Sequence, residues 1–129
     1  NSTGGKVTLH AGDDVTLQAG SAVTAHTRIE IRSGYNDLDT AGSLITLNGS
    51  LTAPFIEVHG TEYGDTISAG ATGTISGMTV IHGRGGADTI SNAATAAAEN
   101  LIVMFGDSMT VSERTIMRLE PIGTGSTCS

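Results

Sequence analysis

Apolar and polar residues alternate in runs of three to five along almost the whole chain, and short turns separate the runs. Lys6 to Leu9 alternates, Ala11 to Asp14 turns, Val15 to Gln18 alternates again, Ala19 to Ser21 turns, and Ala22 to Ala25 is a third run. A period of two marks strands with one face toward a core. A second group runs through Arg28 to Ile31, a turn at Ser33 to Asn36, Leu38, and Leu44 to Leu47, and closes at the turn signal Asn48-Gly49. The third group is Phe55 to Val58, Asp65 to Ile67 and Thr74-Ile75; the fourth is Thr79 to Ile81, Asp88 to Ile90 and Asn92 to Asn100. Within the last piece, Asn92 is a candidate N-cap and Ala93 to Glu99 predicts one helical turn. Beyond it come an apolar run, Leu101 to Phe105, the alternating pieces Met109 to Val111 and Thr115 to Leu119, and a tail, Gly123 to Ser129, that reads as flexible.

The groups echo one another at a nearly constant distance. VHGTEYGDTIS from Val58 and VIHGRGGADTIS from Val80 place His59 over His82, Gly60 over Gly83, Asp65 over Asp88 and Ile67 over Ile90, each 23 residues apart. Asp14 and Asp37 are again 23 apart, whereas Asp37 and Asp65 are 28 apart, so about five extra residues are expected within Ala41 to Pro54. Ser50 to Pro54 is the expected place, because proline cannot donate to a ladder.

Strands this short have no stability as free hairpins. They become stable when each lap lies on the one before, so that equivalent strands pair in parallel at about 4.8 Å and Val, Ile and Leu form ladders inside. The pattern therefore predicts an all-β fold, a parallel β-solenoid or β-helix with laps of about 23 residues. The whole of 1–129 reads as one module: regular laps over about 6–91, an irregular last lap over 92–122 and a tail over 123–129. Five to six such laps make a rod of roughly 27 Å. An antiparallel sandwich also uses short strands with frequent turns, yet it gives no reason for a 23-residue echo.

Composition narrows the function. A net charge of −7 with six Lys and Arg argues against nucleic acid as a partner. Aromatic content is 3% and there is no Trp, so a narrow aliphatic core is expected. Mean hydropathy is +0.07 and the apolar residues recur in order, which favours a folded chain over a disordered one. No run approaches the ~18 apolar residues of a membrane span, so no membrane insertion is expected. No signal peptide precedes the first strand, and the abrupt start suggests a mature product or a segment of a longer protein. Cys128 is the single cysteine, which leaves a free thiol or a bond to another chain.

Gly83-Arg84-Gly85-Gly86-Ala87-Asp88-Thr89-Ile90-Ser91 resembles the nonapeptide of RTX calcium-binding proteins, G-G-x-G-x-D-x-U-x, with Arg84 in place of the second glycine. Gly60 to Ser68 matches only at Gly60, Asp65 and Ile67. The nonapeptide occurs here about once per lap, whereas RTX proteins repeat it back to back. The wider pattern, with AGDDVTLQAGSAVTA, SLITLNGSLTAP and MFGD, resembles the repeat regions of large secreted RTX-like and haemagglutinin-like adhesins. That resemblance implies an extracellular or cell-surface location and an adhesive or structural role. It also implies oxygen ligands for calcium, here Asp65, Asp88, Gly83 and Gly86. Independently of the resemblance, the 23-residue spacing would stack Asp14 on Asp37 as a second candidate pair. Two stacked carboxylates ~4.8 Å apart repel by roughly 1 kcal/mol in water and about 3 to 4 kcal/mol at an effective dielectric of 20, which a bridging cation would reverse. The competing reading is that each aspartate caps turn amides.

Other chemistry is thinner. Two histidines are too few for a closed zinc site. Thr66, Thr72, Thr74 and Thr89 are ordinary outward strand positions, or a flat array for ice or sugar. Carboxylate pairs such as Asp13 and Asp14 or Asp37 and Asp39, with Arg32, could serve a polysaccharide-acting β-helix enzyme. Against this, the sequence offers no aromatic platform and no loop long enough for a cleft. The expected function is a non-enzymatic structural or adhesive module, whose partners are its own copies or neighbouring repeats end to end, and a surface or matrix polysaccharide.

Overall fold

The computed structural model describes residues 4–96, 102–106, 110–113, 117–121 and 127–128, with side chains through residue 94. It is a parallel β-solenoid. Among the described residues there is no helix, and every strand pairing is parallel. The first coil consists of β1 (Lys6–His10), β2 (Val15–Leu17) and β3 (Ala22–Thr24), followed by β4 (Arg28–Arg32) and β5 (Leu44–Leu47) in the second. The third face then fuses with the first: β6 (Ser50–His59) and β8 (Thr74–His82) are long strands that turn the corner between them, with β7 (Thr66–Ala69) and β9 (Thr89–Asn92) on the second face. Next come β10 (Thr95–Ala96), β11 (Ile102–Gly106), β12 (Thr110–Glu113), β13 (Met117–Pro121) and β14 (Thr127–Cys128).

One face runs β1-β4-β6-β8-β11-β13 and another β2-β5-β7-β9-β12-β14, while β3 and β10 pair with the first halves of β6 and β8. The register is set by inward ladders. Val7, Ile29, Ile56 and Thr79 form one, Leu9, Ile31, Val58 and Ile81 a second, and Val15, Ile45, Ile67 and Ile90 a third. Ile29, Ile31, Ile45, Ile56, Ile67 and Ile90 are fully buried. Each such side chain contributes about 1.5–3 kcal/mol relative to exposure, against about 0–1 kcal/mol for a surface ion pair, so the ladders hold the stack together.

Three expectations are corrected. Ser50 to Pro54 is not an insertion. Ser50–Thr52 pairs with β3, and Pro54 occupies the corner of β6, at a register shift between Thr52 and Phe55. The extra residues lie earlier, in the turn 33–43, which replaces the four residues 11–14 of the first coil and exceeds the six of 60–65 and of 83–88. The predicted helical turn after Asn92 is strand β10 where it is described, because Thr95 and Ala96 continue the ladder of Thr74 and Ile75; residues 97–100 lie outside the described ones. Asn92 still serves as a local cap, with its Oδ1 accepting the Ala94 N–H at 3.0 Å. Finally, Thr127–Cys128 within the expected tail pairs with Thr110 and Val111. The last coil is also shorter, since Met117 pairs with Ile102 only fifteen residues back.

At the corner of β8, Gly77 has φ of +133°, and a Cβ there would lie 1.7 Å from the Ala53 carbonyl oxygen. Glycine is what allows this corner to lie beneath that of Ala53 and Pro54.

Candidate functional site

The turns between the first two faces hold most of the motif residues. Asp65 and Asp88 stack as their spacing predicts, one residue before the paired Thr66 and Thr89. Both are buried and turned inward. Asp65 Oδ1 accepts the Ser43 N–H at 2.7 Å, the Ser43 hydroxyl at 3.0 Å and the Thr61 hydroxyl at 2.9 Å, and its Oδ2 accepts the Thr61 N–H at 2.7 Å. Asp88 Oδ1 accepts the Asp65 N–H at 3.0 Å. Each aspartate thus caps amides of its own turn or of the preceding coil, the role that Asp plays in turns generally.

The paired glycines make this possible. A Cβ on Gly60 would lie 2.2 Å from Asp65 Oδ2, and one on Gly83 would lie 2.1 Å from Asp88 Oδ2. Gly86, at φ +87°, lets its turn approach the backbone of Tyr63 and Gly64. The G-x-x-x-x-D spacing is therefore a folding device: the glycine clears room for the carboxylate five residues on. Among the described residues, no group of three or more His, Cys, Asp or Glu is placed to hold a metal ion.

The other expected pair does not stack. Val15 pairs with Ile45, thirty residues on, so Asp14 lies against Leu44 and accepts its N–H at 2.8 Å. Asp37 falls in the middle of the long turn. The charge of Asp14 chiefly, with smaller contributions from lost hydration and from the charges of Asp37 and Asp39, raises the Asp13 carboxyl above its ordinary value.

His59 and His82 stack as predicted, with ring centroids 4.9 Å apart and planes 3° from parallel. They belong to an outward column of register partners, His10, Arg32, His59 and His82. Burial lowers both imidazoles, His59 to about 4, helped by His82, Arg32 and Arg84 against the opposing pull of Glu30. The adjacent column stacks Glu30 on Glu57, and cations flank it. Lys6 pairs with Glu30, Arg28 with Glu57, and Arg32 lies 3.6 Å from Glu30, while the His59 ring, uncharged near neutral pH, lies 3.5 Å from Glu57. Lys6 chiefly, against the cost of burial, holds the Glu30 carboxyl below its ordinary range.

Next to these columns, the turn 33–43 overhangs the turns below it and encloses a cleft of about 520 Å³. The turn is pinned at both feet. The Ser33 and Ser43 hydroxyls lie 2.6 Å apart, Ser33 N–H donates to the His59 carbonyl at 3.1 Å, and Ser43 is held by Asp65. Its first bend is pinned as well, since Tyr35 N–H donates to the Ala11 carbonyl at 2.8 Å and the Tyr35 ring stacks on His10 at 4.2 Å. The cleft is lined by Tyr35 and Tyr63, by Arg32 and Arg84, and by Asp37, Asp39 and Glu62. Leu38, at its lip, is 97% exposed.

Arg84 takes the place of the motif's second glycine and adopts φ of +69°, a left-handed conformation that costs a non-glycine residue about 1–2 kcal/mol. Its Nη1 lies 3.4 Å from Glu62 Oε1. A backbone outlier kept at a cleft is a pointer to function.

Both a cleft and an aromatic lining were unexpected from the sequence. The available signal was the 28-residue step from Asp37 to Asp65, which marked an enlarged turn without saying which one. Comparison with protein-family models, with curated proteins and with solved structures returned no match to this chain. No helix among the described residues is long and apolar enough to cross a membrane.

Proposed function

We propose that this chain is a non-enzymatic adhesive module of an extracellular or cell-surface protein: a stiff solenoid that carries a binding cleft on one corner. The observation that carries this reading is the turn 33–43. It departs from a coil outline that the neighbouring turns keep, it is pinned at its feet and first bend, and the space beneath it is lined by charged and aromatic side chains. The inward ladders do not depend on this turn, so the fold acts as a support and the turn as the variable part. Asp37 and Asp39 each accept a backbone N–H of their own turn, at 3.1 and 2.8 Å, which favours a structural use of both over catalysis.

The test is retention of the purified chain on intact cells and on extracellular matrix. The reading predicts saturable retention that Tyr63→Ala weakens, with no release of reducing ends. Release that disappears in Asp37→Asn or Asp39→Asn would replace it with a polysaccharide-acting enzyme.

A second observation favours association along the axis. Among the described residues β1 and β2 are edge strands of their sheets, and such an edge is a template for a further coil or a second copy. A dilution series followed by light scattering tests this, and a monomer at every concentration would end it.

A further inference from the structure

We infer that the cleft beneath turn 33–43 binds a neutral saccharide, as an exposed stretch of a polysaccharide, with Arg84 as a specificity-determining residue. This deepens the adhesive reading and rests on it. A volume of about 520 Å³ is in the range of small-ligand sites, large enough for a few sugar units. Tyr35 and Tyr63 are 44% and 39% exposed, and a phenol ring offers the apolar C–H face of a pyranose a flat surface while its hydroxyl remains available for hydrogen bonding. His10 backs the Tyr35 ring and holds it in place.

The polar lining selects among ligands. It combines donor-only forks, Arg32 and Arg84, with acceptor-only carboxylates, Asp37, Asp39 and Glu62. A sugar hydroxyl both donates and accepts, so a polyol can satisfy both kinds of partner, and adjacent hydroxyls match the bidentate spacing of guanidinium and carboxylate groups. An anionic polymer would find two cations against three carboxylates in the cleft, on a chain of net charge −7 that repels it at a distance.

Arg84 supplies an independent observation. Glycine would fit its left-handed backbone without strain, as it does in the motif that the turn resembles, yet this chain places at that position an arginine that lines the cleft. The side chain therefore serves the cleft as well as its pairing with Glu62 of the neighbouring coil.

The chain reports on this site by itself. It has two tyrosines and no tryptophan, and both tyrosines line the cleft, so intrinsic emission reads this place alone. The experiment titrates the purified chain with neutral hexasaccharides built on glucose, mannose, galactose or N-acetylglucosamine, and with an acidic galacturonan hexasaccharide. At least one neutral ligand is expected to change the emission saturably, and the acidic one is not. Tyr63→Ala should weaken binding at least tenfold by calorimetry. Arg84→Gly should also weaken it at least tenfold while its melting midpoint stays equal or rises, which separates a role in binding from one in folding. Binding of the acidic ligand instead, or of no saccharide while cleft-dependent retention on cells persists, would overturn the ligand class and leave the adhesive reading standing. Loss of cleft-dependent retention would overturn both. Unchanged affinity in Arg84→Gly would remove Arg84 from the site.

Discussion

Ser43 gives both its amide N–H and its hydroxyl to one oxygen of Asp65, at 2.7 and 3.0 Å, across 22 residues of sequence. The contact joins the far foot of the long turn to the coil below, so the cleft depends on a carboxylate that does not line it. Asp65→Ala leaves the buried donors of Ser43 and Thr61 without their acceptor and should cost about 3 kcal/mol in urea melts; Asp65→Asn, which turns one acceptor into a donor, should cost about 1–3 kcal/mol. Both variants should also alter tyrosine emission before global unfolding. A melt that matches the unsubstituted chain would show that the turn is held some other way.

The corner of β8 makes a sharper test of the stack. Gly77→Ala places a Cβ against the Ala53 carbonyl at a positive φ, and a loss of about 3 kcal/mol or more is expected. Gly20 is the control. It has φ of +82° with nothing within 4 Å of an added Cβ, so Gly20→Ala should cost only about 1 kcal/mol of backbone strain. Equal losses for the two would mean that coil contact at the β8 corner is unimportant.

Acid should weaken the fold through His59. Its folded pKa of about 4 lies below the ordinary 6.5, so between these values the unfolded chain binds more protons. Stability is then fully present above pH 6.5 and falls as the pH drops toward 4, by an amount on the order of 1–3 kcal/mol. Glu30 acts in the same direction at lower pH, because its lowered carboxyl loses its stabilising charge as it protonates. His59→Phe keeps a stacking ring without the titration, and should flatten the melting midpoint between pH 6.5 and 4 relative to the unsubstituted chain.

Calcium can be tested at the same aspartates. Four protein donors already fill the Asp65 carboxylate, so EGTA is expected to leave the melting midpoint unchanged. A midpoint that rises with calcium and persists in Asp65→Asn would direct attention to Asp13, whose carboxyl is raised by the charges of Asp14, Asp37 and Asp39.

The inward ladders were legible without coordinates. Ile29, Ile31, Ile45, Ile67 and Ile90 recur because every coil imposes the same steric demand at the same place, and a local demand repeated in space becomes a period in sequence. The stacking of His59 on His82 and of Asp65 on Asp88 follows from that period alone, since no residue is gained or lost between those two coils.

The enlarged turn was not legible in this way. Counting from Asp14 to Asp37 treats spacing as register, whereas register is decided by which aliphatic residues are buried together, and Val15 pairs with Ile45, thirty residues on. The direction of each aspartate was likewise open, because a carboxylate at a turn can face a cation outside or amides within. Thus the chain by itself determined the coil, its period and its core, all of which repeat. Tertiary structure alone decided what occurs once: the turn that absorbs the extra residues, the cleft it encloses, and the convergence of Tyr35, Tyr63 and Arg84 from three successive coils. A singular feature has no second copy in the sequence to be compared with, and only packing brings its parts together.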